Sequence, residues 1–268
     1  MYSIKNHRLH YNNNPVAYER TPNSSGTIEP DWLVMHYTAS GNYTSVIRWL
    51  TNSQARASAH LVIGYDGAVT QLAPFNIKTW HAGQSFWKGK SGLNSNTIGI
   101  ELVNKGYAVA AEDESIRAKH RNGGPTRNWQ VYPEAQLEVA LEIAVTLRDK
   151  YELTEVVGHD DISPGRKSDP GPAFDMRHFR GRMFGRESDD SPFDLDISEG
   201  TAIVDTGGID DPLNMRLWPS LESAIVEKIP DGTKVILIRK NPGQHSHWSE
   251  IFYNNQIGWV VTRYLVDG

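Results

Sequence analysis

The sequence predicts an α/β domain, a mixed central β-sheet flanked by helices, followed by a small all-β barrel. Two patterns lead to this. Up to about Arg182, apolar runs of strand length alternate with stretches of helical periodicity. From about residue 201 the helical pattern stops, and short β-runs separated by turn residues take over: AIVD, LNMRL, SAIVEKI, KVILIRK, HWSEIFY and IGWVV. Between them lies ESDDSPFDLDISEG, acidic and poor in helical pattern, which reads as a linker. The predicted boundaries are 1–182 for the first domain with an extended lead-in, 183–204 for the linker and 205–268 for the barrel.

Taken in order, residues 1–30 are polar and rich in Asn, Pro and Ser, hence the lead-in. WLVMHY, from Trp32 to Tyr37, is the first strong strand, and its alternation groups Trp32, Val34 and His36 on one face. Val46, Ile47 and Leu50 then sit at helical spacing. AHLVIGYDGAVTQLA reads as a hairpin turning at Asp66-Gly67. TIGIELV, Thr97 to Val103, is a further strand that sets Glu101 on the face opposite Ile100 and Leu102. Residues 104–130, charged and rich in Gly, suggest a long surface excursion. Pro133 and Glu134 open a helix whose apolar stripe is Leu137, Ala140, Leu141, Ala144, Leu147 and Tyr151. A short strand, Glu155 to Val157, leads into the loop that begins at His159.

Composition narrows the function. With 38% apolar and 22% charged residues the chain buries a real core. A net charge of −5 lacks the basic face that neutralises phosphates, so nucleic acid is not an expected partner. No apolar run approaches the ~20 residues of a membrane span. There is no cysteine, so any zinc must be held by His and carboxylates.

The most informative stretch is GHDDISPGRKSDPGPAFDM, which sets His159 and Asp169 in one Pro/Gly-rich loop. With His36 from the early strand they can supply three protein donors and leave a fourth position to water, the layout of a catalytic zinc site. Asp169 precedes Pro170, which favours an extended backbone there, and Pro164, Pro170 and Pro172 restrict the loop further. Spacing alone leaves this open against the plainer reading of surface or hydrogen-bonded histidines.

Five strings occurring in order carry a resemblance: HYTAS, SAHLVIGYDG, WHAG, IGIELVN and GHDDISPGRKSDPGPAFDM. They closely resemble the zinc-dependent N-acetylmuramoyl-L-alanine amidases of the type 2 class, over roughly residues 28–182. The class shares its fold with phage lysozyme-like amidases and peptidoglycan recognition proteins. The resemblance implies hydrolysis of the amide joining the lactyl group of N-acetylmuramic acid to L-alanine, in peptidoglycan or its muropeptide fragments. It makes His36, His159 and Asp169 the zinc ligands. Glu101 matches the family's catalytic carboxylate, a general base whose conjugate acid protonates the leaving amine. Its plain reading is a salt-bridged strand carboxylate. Lys167 matches the family's basic residue, placed to stabilise an oxyanion, with Arg166 competing for the role. Trp80 and His81, in WHAG, resemble residues of the substrate cleft. His60 is a further substrate-side candidate, equally readable as a packed histidine; Ala59 stands where some relatives carry a tyrosine that assists catalysis. Asp160 and Asp161 read as groups that support the ligand loop.

From LNMR through DGTKV and Trp248 to GWVVTRYL, about residues 205–266, the chain resembles bacterial SH3-like domains, which implies cell-wall binding or a rigid appendage. Leu217 and Trp218 depart from the usual small residue and Gly, and Trp218 lines a groove or covers the barrel end. The expected site of action is the bacterial wall, periplasmic or extracellular. MYSIKNHRLHYNNN offers no apolar core of signal-peptide length, so the export route is not legible. Two rivals share the resemblance: a wall-binding protein without hydrolysis, and a zinc peptidase cutting within the stem peptide.

Overall fold

A computed structural model describes residues 1–184, 200–208, 212–221, 223–240, 247–254 and 256–268. The chain separates into two units, Met1–Met183 and Phe184–Gly268. Residues 185–199, most of the predicted acidic linker, lie outside the described residues.

The first unit is built on a six-stranded sheet. Its strands are β1 (Ala17–Tyr18), β2 (Trp32–Tyr37), β3 (Leu61–Ile63), β4 (Val69–Gln71), β5 (Thr97–Leu102) and β6 (Glu155–Gly158). The spatial order is β6-β2-β5-β3-β4-β1. β2 lies between β6 and β5 and runs parallel to both. That position explains why WLVMH is buried on both faces and reads as a continuous apolar run. The predicted hairpin is present as antiparallel β3 and β4. Asp66 Oδ1 accepts from the Ala68 amide at 3.0 Å, and Gly67 takes the left-handed conformation the turn needs (φ +79°).

Helices pack against the sheet. In α1 (Tyr43–Leu50), Asn42 caps the first turn by accepting from the Ser45 amide at 2.8 Å. Val46, Ile47 and Leu50 pack on Val62, Leu72 and Val103. α2 (Glu134–Tyr151) begins directly after Pro133 and buries Ala140, Leu141, Ile143, Ala144 and Leu147. Its buried stripe differs from the predicted one at the start, where Gln136 is fully buried and Leu137 only partly. The reason is a hydrogen-bonding demand. Gln136 Nε2 donates to the carbonyls of Ile63 and Val103, at 2.9 and 3.0 Å, where the two strands end.

Two further expectations change. The lead-in is not merely extended: Tyr2–Lys5, Arg8–Tyr11 and Asn14–Pro15 form a small antiparallel sheet. It is tied to the unit by the fully buried Leu9, whose amide donates to Gln71 Oε1 at 2.9 Å. The 104–130 excursion contains an antiparallel hairpin, Ser115–Lys119 with Thr126–Gln130. Its strands are mostly polar, so they carry little period-two signal. Trp129 anchors it, buried and donating through Nε1 to the Ala118 carbonyl at 3.1 Å.

In the second unit, seven antiparallel strands run β7 (Gly200–Val204), β8 (Leu213–Arg216), β9 (Ile225–Ile229), β10 (Lys234–Lys240), β11 (Trp248–Tyr253), β12 (Gln256–Val261) and β13 (Leu265–Asp267). Their order is β9-β8-β12-β11-β10-β7-β13. The core includes Val204, Met215, Ile229, Val235, Ile251 and Val260. Gly258 lets β12 cross close to β8: a methyl group there would lie 2.6 Å from Met215 Cγ. Trp218 is buried, with its amide donating to Ser223 Oγ at 2.9 Å, so it covers the barrel rather than lining an open groove. No helix among the described residues is long and apolar enough to cross a membrane.

Candidate metal centre

Parallel pairing assembles the centre at the carboxyl ends of the strands, where open α/β sheets place their sites. Glu101 on β5 is in register with His36 on β2. Paired residues of neighbouring strands point to the same face. On the other side Gly158 pairs with Met35, so the next residue of each strand, His159 and His36, fall side by side. His159 opens the short helix α3 (His159–Ile162), and the chain then loops back to Asp169.

Nδ1 of His36, Nδ1 of His159 and Oδ2 of Asp169 form a triangle with every edge at 2.9 Å. All three residues are buried. Burial, reinforced by His159, lowers the His36 pKa to about 4, which favours the neutral ring. Burial pushes the Asp169 carboxyl up, but the two imidazoles outweigh it and hold the group below the ordinary carboxylate range. Two imidazole nitrogens and a carboxylate oxygen converging in a buried place match the donor set zinc takes when thiolates are absent. Glu101 stands beside this cluster. Burial, with Asp169 adding to it, raises its pKa well above 4.5, opposed by Lys167. Its Oε2 is buried and meets no hydrogen-bond partner among the described residues, so no salt bridge holds it there.

The ligand loop is held from several sides. The Asp160 amide donates to the Asp169 carbonyl at 2.8 Å, closing the loop on itself. Tyr132 Oη donates to the Pro170 carbonyl at 2.7 Å, and Tyr37 Oη meets Ser168 Oγ at 2.7 Å. Gly171, at φ +73°, leaves room for Trp129: a methyl group there would lie 2.8 Å from its ring. The Asp169–Pro170 peptide is cis. Asp161 Oδ2 accepts from the Gly158 amide at 2.7 Å, capping α3.

The tip of the unpredicted hairpin reaches this loop. His120 Nε2 lies 3.0 Å and Arg121 Nε 3.2 Å from the buried Asp160 Oδ2, and Asn122 Nδ2 donates to the Asp160 carbonyl at 2.8 Å. Arg121 also pairs with Asp161 at 2.8 Å. Sequence reasoning missed this clamp, because the three residues lie in a charged stretch with no pattern pointing at Asp160. Arg121→Ala is expected to destabilise the protein by about 1–2 kcal/mol. Bonds from a charged donor contribute about 1.5–3 kcal/mol, reduced here by solvent at the half-exposed guanidinium. Urea unfolding at neutral pH checks it, and an unchanged midpoint would show that the hairpin does not hold the loop.

The remaining candidates divide. Lys167 lies close enough for its charge to lower the pKa of both Glu101 and His36. Arg166 is engaged elsewhere, donating to the carbonyls of Ala82 (2.9 Å) and Gln84 (2.7 Å) and to Ser163 Oγ (2.7 Å). His60 is fully buried. Its Nε2 donates to the Ile77 carbonyl at 2.9 Å, and its Nδ1 accepts from the Gly99 amide at 3.0 Å. Neither ring nitrogen is left for a substrate, so its surroundings favour the packed-histidine reading. His81 is also buried, with its ring edge-on to that of His36. Trp80 is partly exposed. Trp87 packs on the Trp32–Val34–Ala82 core.

A family profile described as N-acetylmuramoyl-L-alanine amidase matches residues 26–172, more than half of the chain. The chain belongs to this family. A bacterial SH3 domain profile matches residues 211–266. Among relatives, the N-acetylmuramoyl-L-alanine amidase AmiD of Escherichia coli K12 is 34% identical over 151 residues, 53% of this chain and 49% of AmiD. The 1,6-anhydro-N-acetylmuramyl-L-alanine amidase AmpD of the same strain is 36% identical over 127 residues, 47% of this chain and 57% of AmpD. The chain thus spans about half the length of the curated relatives it matches. The solved complex of E. coli AmiD with anhydro-N-acetylmuramic acid-L-Ala-D-gamma-Glu-L-Lys is 27% identical with a TM-score of 0.47, covering 66% of this chain and 64% of that one. The family match spans His36, Glu101, His159, Lys167 and Asp169 alike.

Proposed function

We propose that the chain is a zinc-dependent peptidoglycan hydrolase. It cleaves the amide between the lactyl group of N-acetylmuramic acid and the L-alanine of the stem peptide, in the wall or in muropeptide fragments. The observation that carries the proposal is the Nδ1–Nδ1–Oδ2 triangle of His36, His159 and Asp169 beside a buried, unpartnered Glu101 oxygen.

His36, His159 and Asp169 would hold the metal, which supplies a Lewis acid that polarises the scissile carbonyl and acidifies water near neutral pH. Glu101 takes a proton from the attacking water as its oxygen adds to the carbonyl carbon. The C–N bond then breaks, and the carboxyl returns that proton to the amine nitrogen of L-alanine. A carboxylate with a raised pKa suits both halves of this transfer. The Lys167 ammonium stabilises the negative charge on the carbonyl oxygen, while Arg166 is occupied in holding the 82–84 backbone. Trp80 offers an aromatic surface to sugar or peptide. The SH3-like residues 205–268 hold the enzyme to wall peptide, in the periplasm or outside the cell.

Mass spectrometry of products from purified peptidoglycan tests this. Expected are stem peptides with a free L-alanine amine and saccharides with a free lactyl carboxyl, both suppressed by a chelator. Products cut inside the stem would identify a peptidase, and wall binding without any release would identify a non-catalytic protein.

A further inference from the structure

Behind the metal centre, protons are placed by a chain of hydrogen bonds with one consistent direction. It starts at the Leu93 carbonyl, which only accepts. Thr97 Oγ1 lies 2.6 Å from it and must donate. The same oxygen is 3.1 Å from His81 Nε2 and therefore accepts from that nitrogen. A neutral imidazole holds one proton, and here it sits on Nε2. With the proton on Nε2, its Nδ1 carries a bare lone pair. That lone pair faces His36 Nε2 at 3.0 Å and accepts its proton. His36 Nδ1 is then bare and faces Asp169 and His159.

The other imidazole is set by the next residue. His159 Nε2 donates to the Ala82 carbonyl at 3.0 Å, so its Nδ1 is bare as well. His81 and Ala82 are in turn fixed by one side chain: Asn94 Oδ1 accepts from both backbone amides, at 3.0 and 2.7 Å. The His81 ring also lies flat against the strand below. A methyl group on Gly99 of β5 would sit 2.5 Å from His81 Cγ and 2.6 Å from its Nδ1.

We propose that His81 and Asn94 are positioning residues that impose the Nε2–H tautomer on both His36 and His159, so that each presents Nδ1 to the metal. Gly99 provides the space His81 needs to do so. The assignment moves His81 from the substrate cleft to the support of the donors, and its consequence for metal affinity rests on the zinc reading above.

The test has two independent readouts on the full chain. Nitrogen-15 NMR of histidine side chains, at a pH well above the imidazole range, reads the proton on His81 with and without zinc. The proton is expected on Nε2. A proton on Nδ1 would reverse the chain, make His36 accept through Nε2 and overturn the proposal. Competition with a chromophoric chelator reads zinc affinity. His81→Leu is expected to weaken it by about 10–100-fold, the usual effect of losing a group that orients a ligand. His81→Asn, whose Oδ1 still accepts from His36 Nε2, recovers most of that loss. Gly99→Ala, which removes no donor or acceptor but displaces the ring, behaves like His81→Leu. A His81→Leu variant that melts like the parent and binds zinc as tightly would also overturn the proposal. A parent that takes up no zinc defeats the preceding reading instead, and the NMR result then decides the proton placement by itself.

Discussion

Asp169→Ala is expected to abolish zinc retention and amide hydrolysis together. The carboxylate is the anionic corner of the donor triangle and lies 2.9 Å from both imidazole nitrogens. Loss of a group that merely orients a ligand weakens metal binding by about 10–100-fold, so loss of the ligand itself should exceed the upper end of that range. Metal content after dialysis, read beside stem-peptide release, checks the prediction. His36→Ala should behave in the same way. A folded Asp169→Ala protein that keeps stoichiometric zinc and full activity would show that the triangle is not the metal centre.

Glu101→Gln should separate metal from chemistry. Gln is nearly isosteric and removes only the titratable proton, so zinc stays and turnover falls by about 10²–10⁴, the contribution of a positioned acid–base group. Metal-free stability should move the other way. Burial raises the folded-state pKa of Glu101 above 4.5. The favourable contribution is therefore complete below about 4.5 and is lost as pH rises through the folded-state pKa, where the fold must hold a desolvated charge. Metal-free Glu101→Gln is expected to melt near the parent at acidic pH and above it at higher pH. A melting difference that does not change with pH would mean that Glu101 is not desolvated in the folded protein.

Glu101 and His36 illustrate what the sequence makes legible about the candidate site. His36 lies near the end of the apolar run WLVMHY and Glu101 within TIGIELV, and the resemblance carried by HYTAS and IGIELVN implies a role for each. His159 and Asp169 are legible for a similar reason, since one Pro/Gly-rich loop holds both. The antiparallel strands of the second unit were readable because turn residues interrupt their β-runs at short intervals.

The hairpin over Ser115–Lys119 and Thr126–Gln130 was not readable. Its strands are polar, and they are stabilised by Trp129 against Gly171 and by the tip residues on Asp160. Such partners lie far away in the chain and leave no local period. The surroundings of His60 and His81 were not legible either. The resemblance implies a substrate-side role for His81 and leaves His60 open between that and a packed histidine, whereas the hydrogen-bond partners of both rings lie on other elements of the fold.

Local chain chemistry thus specified the elements, their apolar faces and the types of donor available, because these depend on residues a few positions apart. The meeting of the donors was decided by strand order. With β2 between β6 and β5, parallel register sets His36 between His159 and Glu101. No periodicity within a single strand encodes which strand will lie beside it. The tautomer of each imidazole was decided later still, by carbonyl and side-chain acceptors that only the folded chain brings within 3.0 Å of Nε2.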